Sequence, residues 1–241
     1  MAKNSGISWC DHTWNPWQGC RKVSPGCAHC YMYRDKARYG QDPAIVIRSK
    51  QHTFNAPLRW KEPAKVFVCS WSDFFIEDAD AWRDEAWEIM RRTPHLTYML
   101  LTKRPENIAG RLPEGWPYRN VWLGVTAENQ DMADQRIPIL LKTPAALRFV
   151  SVEPMIGPVR MRSEWLLCLS EGQHMNIIEC GHGLINWVIC GGESGPQARD
   201  MEAPWADDLK TQCAAAGWPF FMKQMARKEP IPAFLQGQEM P

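Results

Sequence analysis

Three cysteines crowd into eleven residues, Cys20-Arg-Lys-Val-Ser-Pro-Gly-Cys27-Ala-His-Cys30, while the other six of the chain's nine are spread singly. Three thiolates on one loop can hold three irons of a cubane [4Fe–4S] cluster and leave the fourth iron open to an outside ligand. An open coordination position does chemistry, whereas a closed one mainly holds a fold together. Ser24-Pro25-Gly26 builds a turn that aims Cys27 and Cys30 back toward Cys20. Zinc is the competing reading, because Cys27 and Cys30 form a CxxC and Cys10 or His12 is near enough in sequence to be a fourth ligand. A second scattered set, Cys168, His174, Cys180 and His182, lacks such a knuckle.

Elements must carry that loop, and the sequence supplies them in alternation. Apolar runs at 65–70, 97–102, 120–125, 148–152, 186–190 and 219–222, with another strand at 7–14, read mostly as strands buried on both faces. Helical patterns lie between them, clearest at 80–92, and at 203–216 with Pro204 in the first turn and Gly217 at the end. Alternating strand and helix implies α/β architecture with a parallel sheet. About seven strands suit an incomplete or small parallel β/α (TIM-like) barrel, with a doubly wound open sheet as the alternative. Either places the site in loops after the carboxyl ends of the strands. Polar residues stand there: Ser72 and Asp73, Thr102 and Lys103, Thr126 and Glu128, Ser151 and Glu153, and Gly191-Gly192-Glu193-Ser194. One such pair is an ordinary turn or cap; five in succession suggest the rim of a site.

At 241 residues one domain is expected over 1–228, with an insertion at about 160–184 and a loose, proline-containing tail over 229–241. No run of about 18 uncharged apolar residues occurs, nor a signal-peptide order near the start, so a cytoplasmic protein with reduced thiols and no membrane partner is expected. The net charge of +1 conceals an asymmetry. Residues 1–65 hold 11 Lys and Arg against 4 Asp and Glu (net +7), leaving 17 against 23 (net −6) elsewhere. A polyanionic partner near the amino-terminal third would suit that excess, as would a merely solvated basic face.

The sequence resembles a phage-associated family of three-cysteine-motif proteins, itself similar to radical S-adenosylmethionine enzymes. The resemblance runs from Ile7 to about Gln224. Its landmarks are Trp14-Asn-Pro-Trp17, the cysteine segment, Ser72-Asp73, Leu101-Thr-Lys-Arg104, Leu123-Gly-Val125, Ser151-Val-Glu-Pro154, Gly191-Gly-Glu-Ser-Gly195 and Lys223-Gln224. One departure concerns loop geometry: those enzymes usually show CxxxCxxC, whereas six residues separate Cys20 from Cys27 here.

The resemblance implies a [4Fe–4S] cluster on Cys20, Cys27 and Cys30 and S-adenosylmethionine as cosubstrate, cleaved to methionine and a 5′-deoxyadenosyl radical that abstracts hydrogen from a substrate. A likeness to spore photoproduct lyase in Cys69-Ser-Trp-Ser-Asp73 and Thr102-Lys103 assigns Ser72 and Asp73 to the methionine ammonium and Lys103, with Thr102, to its carboxylate. It also implies a polar contact near Thr126; Glu153 is a further candidate for cofactor contact, and His29, inside the CxxC, is placed to lie against the adenine. Cys69 and Glu193 are the candidate catalytic groups toward substrate. Glu193 follows about the sixth strand, not the second, where Gly-Gly-Glu usually holds the methionine amino group. Implied partners are an electron donor of flavodoxin or ferredoxin type and a nucleic-acid base or modified nucleotide, with Trp14, Trp17, Tyr31 and Trp71 as stacking candidates. Phage encoding would place the protein in the host cytoplasm. The alternative is a zinc-stabilised nucleic-acid-binding protein without catalysis.

Overall fold

Runs of β-branched and aromatic residues buried on both faces become strands, and the amphipathic stretches between them become helices. The computed structural model describes residues 5–166, 169–170, 173–174 and 184–241. In chain order, β1 (His12–Trp14), β2 (Trp17–Gln18), α1 (Tyr31–Arg38), β3 (Ile47–Arg48), α2 (Gln51–Phe54), β4 (Ala64–Val68), α3 (Asp80–Arg92) and β5 (Leu96–Thr102) come first. Then follow β6 (Val121–Thr126), α4 (Gln130–Lys142), β7 (Leu147–Val152), α5 (Ser163–Leu166), β8 (Leu169–Ser170), β9 (Gln173–His174), β10 (Trp187–Gly191), α6 (Ala203–Ala216) and β11 (Phe220–Gln224).

Seven strands form one sheet in the order β1-β4-β5-β6-β7-β10-β11. Pairing is parallel at β1–β4, β4–β5, β7–β10 and β10–β11. Each strand is laid beside its predecessor, with none of the reversal that marks a doubly wound sheet. The fold class is therefore α/β with the strand order of an incomplete parallel β/α barrel.

The chain divides into two units, 1–124 and 125–241, at a boundary inside β6. In the first, Trp14, Val66, Val68, Phe74, Phe75, Tyr98 and Leu100 are fully buried, and α3 adds Ala86, Trp87, Ile89 and Met90. Removing a side chain of that size from water stabilises by about 1.5–3 kcal/mol. The strand expected at 7–14 shortens to β1, because Cys10 N–H turns back to the Ile7 carbonyl at 3.2 Å and Ser5 N–H reaches the Asp11 carbonyl at 2.8 Å.

In the second unit, β7, β10 and β11 carry Phe149, Val150, Val188, Ile189 and Met222 at or near zero exposure. Helix α6 starts and stops where Pro204 and Gly217 predict, the glycine adopting φ 68° and donating to the Ala214 and Cys213 carbonyls. Residues 229–241 are not a loose tail. Met222 N–H bonds the Gly237 carbonyl at 2.8 Å, Trp187 Nε1 donates to the Glu239 carbonyl at 2.9 Å, and Leu235 is fully buried, so the segment extends the β11 edge. Within 160–184, β8 and β9 pair antiparallel. His174 falls in β9, while Cys168, Cys180 and His182 lie outside the described residues. No helix of the described residues is long and apolar enough to cross a membrane.

Candidate functional site

The cysteine loop is an excursion clamped at both ends. β2 and β3 pair antiparallel, Trp17 with Arg48 and Gln18 with Ile47, and Ser49 N–H bonds the Pro16 carbonyl at 2.9 Å. Gly19 must be glycine: its φ is +102°, and a Cβ there would sit 2.1 Å from the Ile45 carbonyl oxygen. Gly19 N–H bonds the Trp71 carbonyl and Cys20 N–H the Pro43 carbonyl, both at 2.9 Å. Pro25–Cys27 is a single 3-10 turn closed by Cys27 N–H to the Ser24 carbonyl, and Cys30 is the N-cap of α1. A metal-bound thiolate at Cys30 would therefore meet the positive end of the helix dipole. All three thiols are free and half-buried.

The landmark tryptophans brace this loop. Trp14 Nε1 donates to the Phe54 carbonyl at 3.0 Å and Trp17 Nε1 to the Asp73 carbonyl at 3.1 Å, and both rings are fully buried. They are core residues and cannot stack on a base, which leaves the half-buried Tyr31 and Trp71. Asn15 between them accepts from Trp71 N–H at 2.8 Å, pinning the turn after β4.

That turn and the one after β5 meet at Asp73. Its Oδ1 accepts from Phe75 N–H at 2.9 Å and Thr102 Oγ1 at 2.7 Å; its Oδ2 accepts from Lys103 N–H at 3.0 Å and faces Arg104 Nη1 at 3.5 Å. Both oxygens thus already serve protein donors. Arg104, 4% exposed, also reaches Cys20 Sγ at 3.5 Å and donates to the Arg21 carbonyl at 2.7 Å. Burial pushes the Cys20 thiol up to about 11, the Asp73 carboxylate adds to the rise and the Arg104 guanidinium opposes it. Ser72 Oγ donates to the Gly19 carbonyl at 2.6 Å. By contrast, the Lys103 ammonium and the His29 ring have no hydrogen-bond or ion-pair partner among the described residues, and both are half-buried. Cys69 holds a left-handed φ of 59° with its thiol buried, and burial raises that thiol well above the ordinary range.

The second unit has its own row of polar residues at strand ends. Glu153 pairs with the Lys223 ammonium, and Glu193, 7% exposed, is gripped by Arg199 through its backbone N–H at 2.8 Å and its guanidinium. Glu128 is fully buried against Arg136 at 2.7 Å, whose Nη1 also donates to the Thr126 carbonyl at 2.9 Å. The hydroxyls of Thr126 and Ser151 are buried without a hydrogen-bond partner among the described residues. An unmet buried hydroxyl costs about 1–3 kcal/mol, which a polar ligand or water would offset. Gly192 admits no side chain, since a Cβ would lie 2.3 Å from the Ala226 nitrogen.

Arg104 is the residue that sequence reasoning missed. It stands in the Leu101-Thr-Lys-Arg104 landmark, yet spacing says nothing about which of two adjacent cations turns inward. The expected basic face also changes. Lys36 is buried, Arg48 is paired with Glu85 at 2.6 Å and lies over the Phe54 ring, and Arg34 pairs with Asp35 at 3.3 Å. In the same amino-terminal stretch the Arg38 and Lys50 side chains stay exposed, with no hydrogen-bond or ion-pair partner among the described residues.

Of the two zinc-ligand candidates beyond the loop, Cys10 is buried and His12 opens β1 with its ring bonded to the Asp11 carbonyl and packed on Trp60. Among the described residues no three His, Cys, Asp or Glu side chains converge to grip a single metal ion. A cubane sets each thiolate on its own iron and does not gather all three at one point. Three free, accessible thiols on one braced loop fit that demand in their chemistry.

No curated protein and no solved structure matches this chain. Residues 4–235 match the family described as "Protein of unknown function (DUF5131)", and with nearly the whole chain covered, the protein belongs to that family.

Proposed function

We propose that the chain is a radical S-adenosylmethionine enzyme in which Cys20, Cys27 and Cys30 hold a [4Fe–4S] cluster. The observation that carries the reading is the braced loop of three free thiols, fastened by Arg104 to the ends of β4 and β5. When bound, such a cluster would supply the electron needed to cleave S-adenosylmethionine to methionine and a 5′-deoxyadenosyl radical able to take hydrogen from a substrate. The protein's part is to bind and orient. The unpaired Lys103 ammonium supplies a cation for the methionine carboxylate, and the His29 ring, inside the CxxC, an aromatic face for the adenine. Asp73, saturated by four donors, fixes the two turns that present Lys103 and Ser72. A nucleic-acid base or modified nucleotide is the proposed substrate class, with Tyr31 and Trp71 as stacking surfaces and a flavodoxin- or ferredoxin-type protein as reductant.

Anaerobic purification tests the metal assignment. A brown protein with about four irons per chain is expected. Replacing Cys20, Cys27 or Cys30 by alanine should lower iron content severely, while Cys10→Ala, Cys69→Ala and Cys213→Ala stay near wild type. A colourless protein with one zinc would support a structural nucleic-acid-binding protein instead.

A further inference from the structure

Arg104 ties the cysteine loop to the strand ends. Its Nη2 donates to the Arg21 carbonyl at 2.7 Å, and its Nη1 stands 3.5 Å from both Cys20 Sγ and Asp73 Oδ2. Its backbone N–H bonds Thr102 Oγ1 at 2.9 Å, and its Nε lies 4.0 Å from Glu77 Oε2. The side chain is nearly sealed from solvent, as is that of Asp73. We propose that Arg104 is a positioning residue for Cys20 and that its charge raises the reduction potential of the cluster held there; this rests on the iron–sulfur reading above.

Three physical effects meet at Arg104. A planar guanidinium with five donors in a rigid fork can serve a thiolate, a carboxylate and a carbonyl lying in different directions, whereas an ammonium is a compact point charge on a flexible stem without that fork. Second, a cluster carried by three thiolates is anionic and gains a further negative charge on reduction, so a nearby buried cation stabilises the reduced form more than the oxidised one. Hydrogen bonds to ligand sulfurs act in the same direction, and they are among the levers that set such potentials. Third, a buried guanidinium left unpaired would be strongly destabilising, and Asp73 answers that requirement. The carboxylate cancels part of the field at the cluster. Cys20 keeps the direct N–H contact, so the net effect of Arg104 remains stabilising for the reduced state.

The test compares wild type, Arg104→Lys and Arg104→Gln after anaerobic reconstitution, with iron per chain and an EPR-monitored redox titration as readouts, neither of which needs turnover. Arg104→Gln is expected to lose about tenfold in the reduction equilibrium constant, a midpoint about 59 mV lower for a one-electron couple, and to hold less iron. Arg104→Lys should fall between the two in potential while still losing iron, because the charge remains and the fork does not. If Arg104→Gln fails to fold by circular dichroism, Arg104→Lys alone decides the matter. Wild-type iron content and midpoint in the folded variants would overturn the inference while leaving the iron–sulfur reading intact. A wild-type protein that takes up no iron would overturn the reading and the inference with it.

Discussion

The Lys103 backbone N–H donates to the Asp73 carboxylate, yet the two side chains have different freedoms. Asp73 is buried with every oxygen engaged, and the Lys103 ammonium is half-buried and unpartnered among the described residues. Their alanine variants should therefore fail differently. Lys103→Ala removes no internal bond; it is expected to leave stability within about 0.5 kcal/mol of wild type and to weaken S-adenosylmethionine binding by about 1.5–3 kcal/mol, the worth of a charged hydrogen bond. Asp73→Ala strands the Arg104 guanidinium and should cost about 3–5 kcal/mol of folding stability. Urea denaturation together with calorimetry on the reconstituted protein separates the two. Equal losses of stability would show that Lys103 is also structural.

At the scale of elements, one close contact braces each unit. Gly192 after β10 lies against the backbone of Ala226, which cannot yield as a flexible side chain would. Gly192→Ala should destabilise the protein by about 1–3 kcal/mol, whereas Gly110→Ala, with open space around the new methyl, should change stability by less than about 0.5 kcal/mol. Equilibrium unfolding of both checks this. Helix α3 begins at Asp80, whose carboxyl is held below its ordinary range first by the hydrogen bond from Arg111 and then by Arg83. A depressed carboxyl stabilises fully above its unfolded value, about 3.9, and that contribution is lost as pH falls through the folded value. Unfolding measured at about pH 6 and about pH 3 should show Asp80→Asn closing part of its gap to wild type at the lower pH; a constant gap would remove Asp80 from the acid response.

These elements differ in how far the sequence announced them. The strands were legible because both faces are buried and their residues run continuously apolar, and α6 because Pro204 and Gly217 mark its ends. Helix α4 was not, since Pro138 lies inside it and breaks the expected pattern. The segment 229–241 was unreadable for another reason: it is held by backbone bonds to β11, which no side-chain pattern records. Among site residues, cysteine spacing singled out the loop, but the Asp73–Arg104 pair joins residues 31 apart in sequence.

For the whole molecule, the cysteine loop and the Asp73–Arg104 hub belong to the first unit, and the Glu153–Lys223 and Glu193–Arg199 pairs to the second. The amino-terminal excess of positive charge is partly taken up by the buried Lys36 and by the ion-paired Arg34 and Arg48, so a polyanion would meet fewer free cations than the net charge of +7 over residues 1–65 suggests. What the molecule as a whole does is tested most directly by one assay: the anaerobically reconstituted protein, reduced with dithionite and given S-adenosylmethionine, with the products separated by chromatography. 5′-Deoxyadenosine and methionine are expected in equal amounts, and Cys27→Ala should abolish both. Intact S-adenosylmethionine from a reduced protein carrying about four irons per chain would contradict the radical S-adenosylmethionine reading.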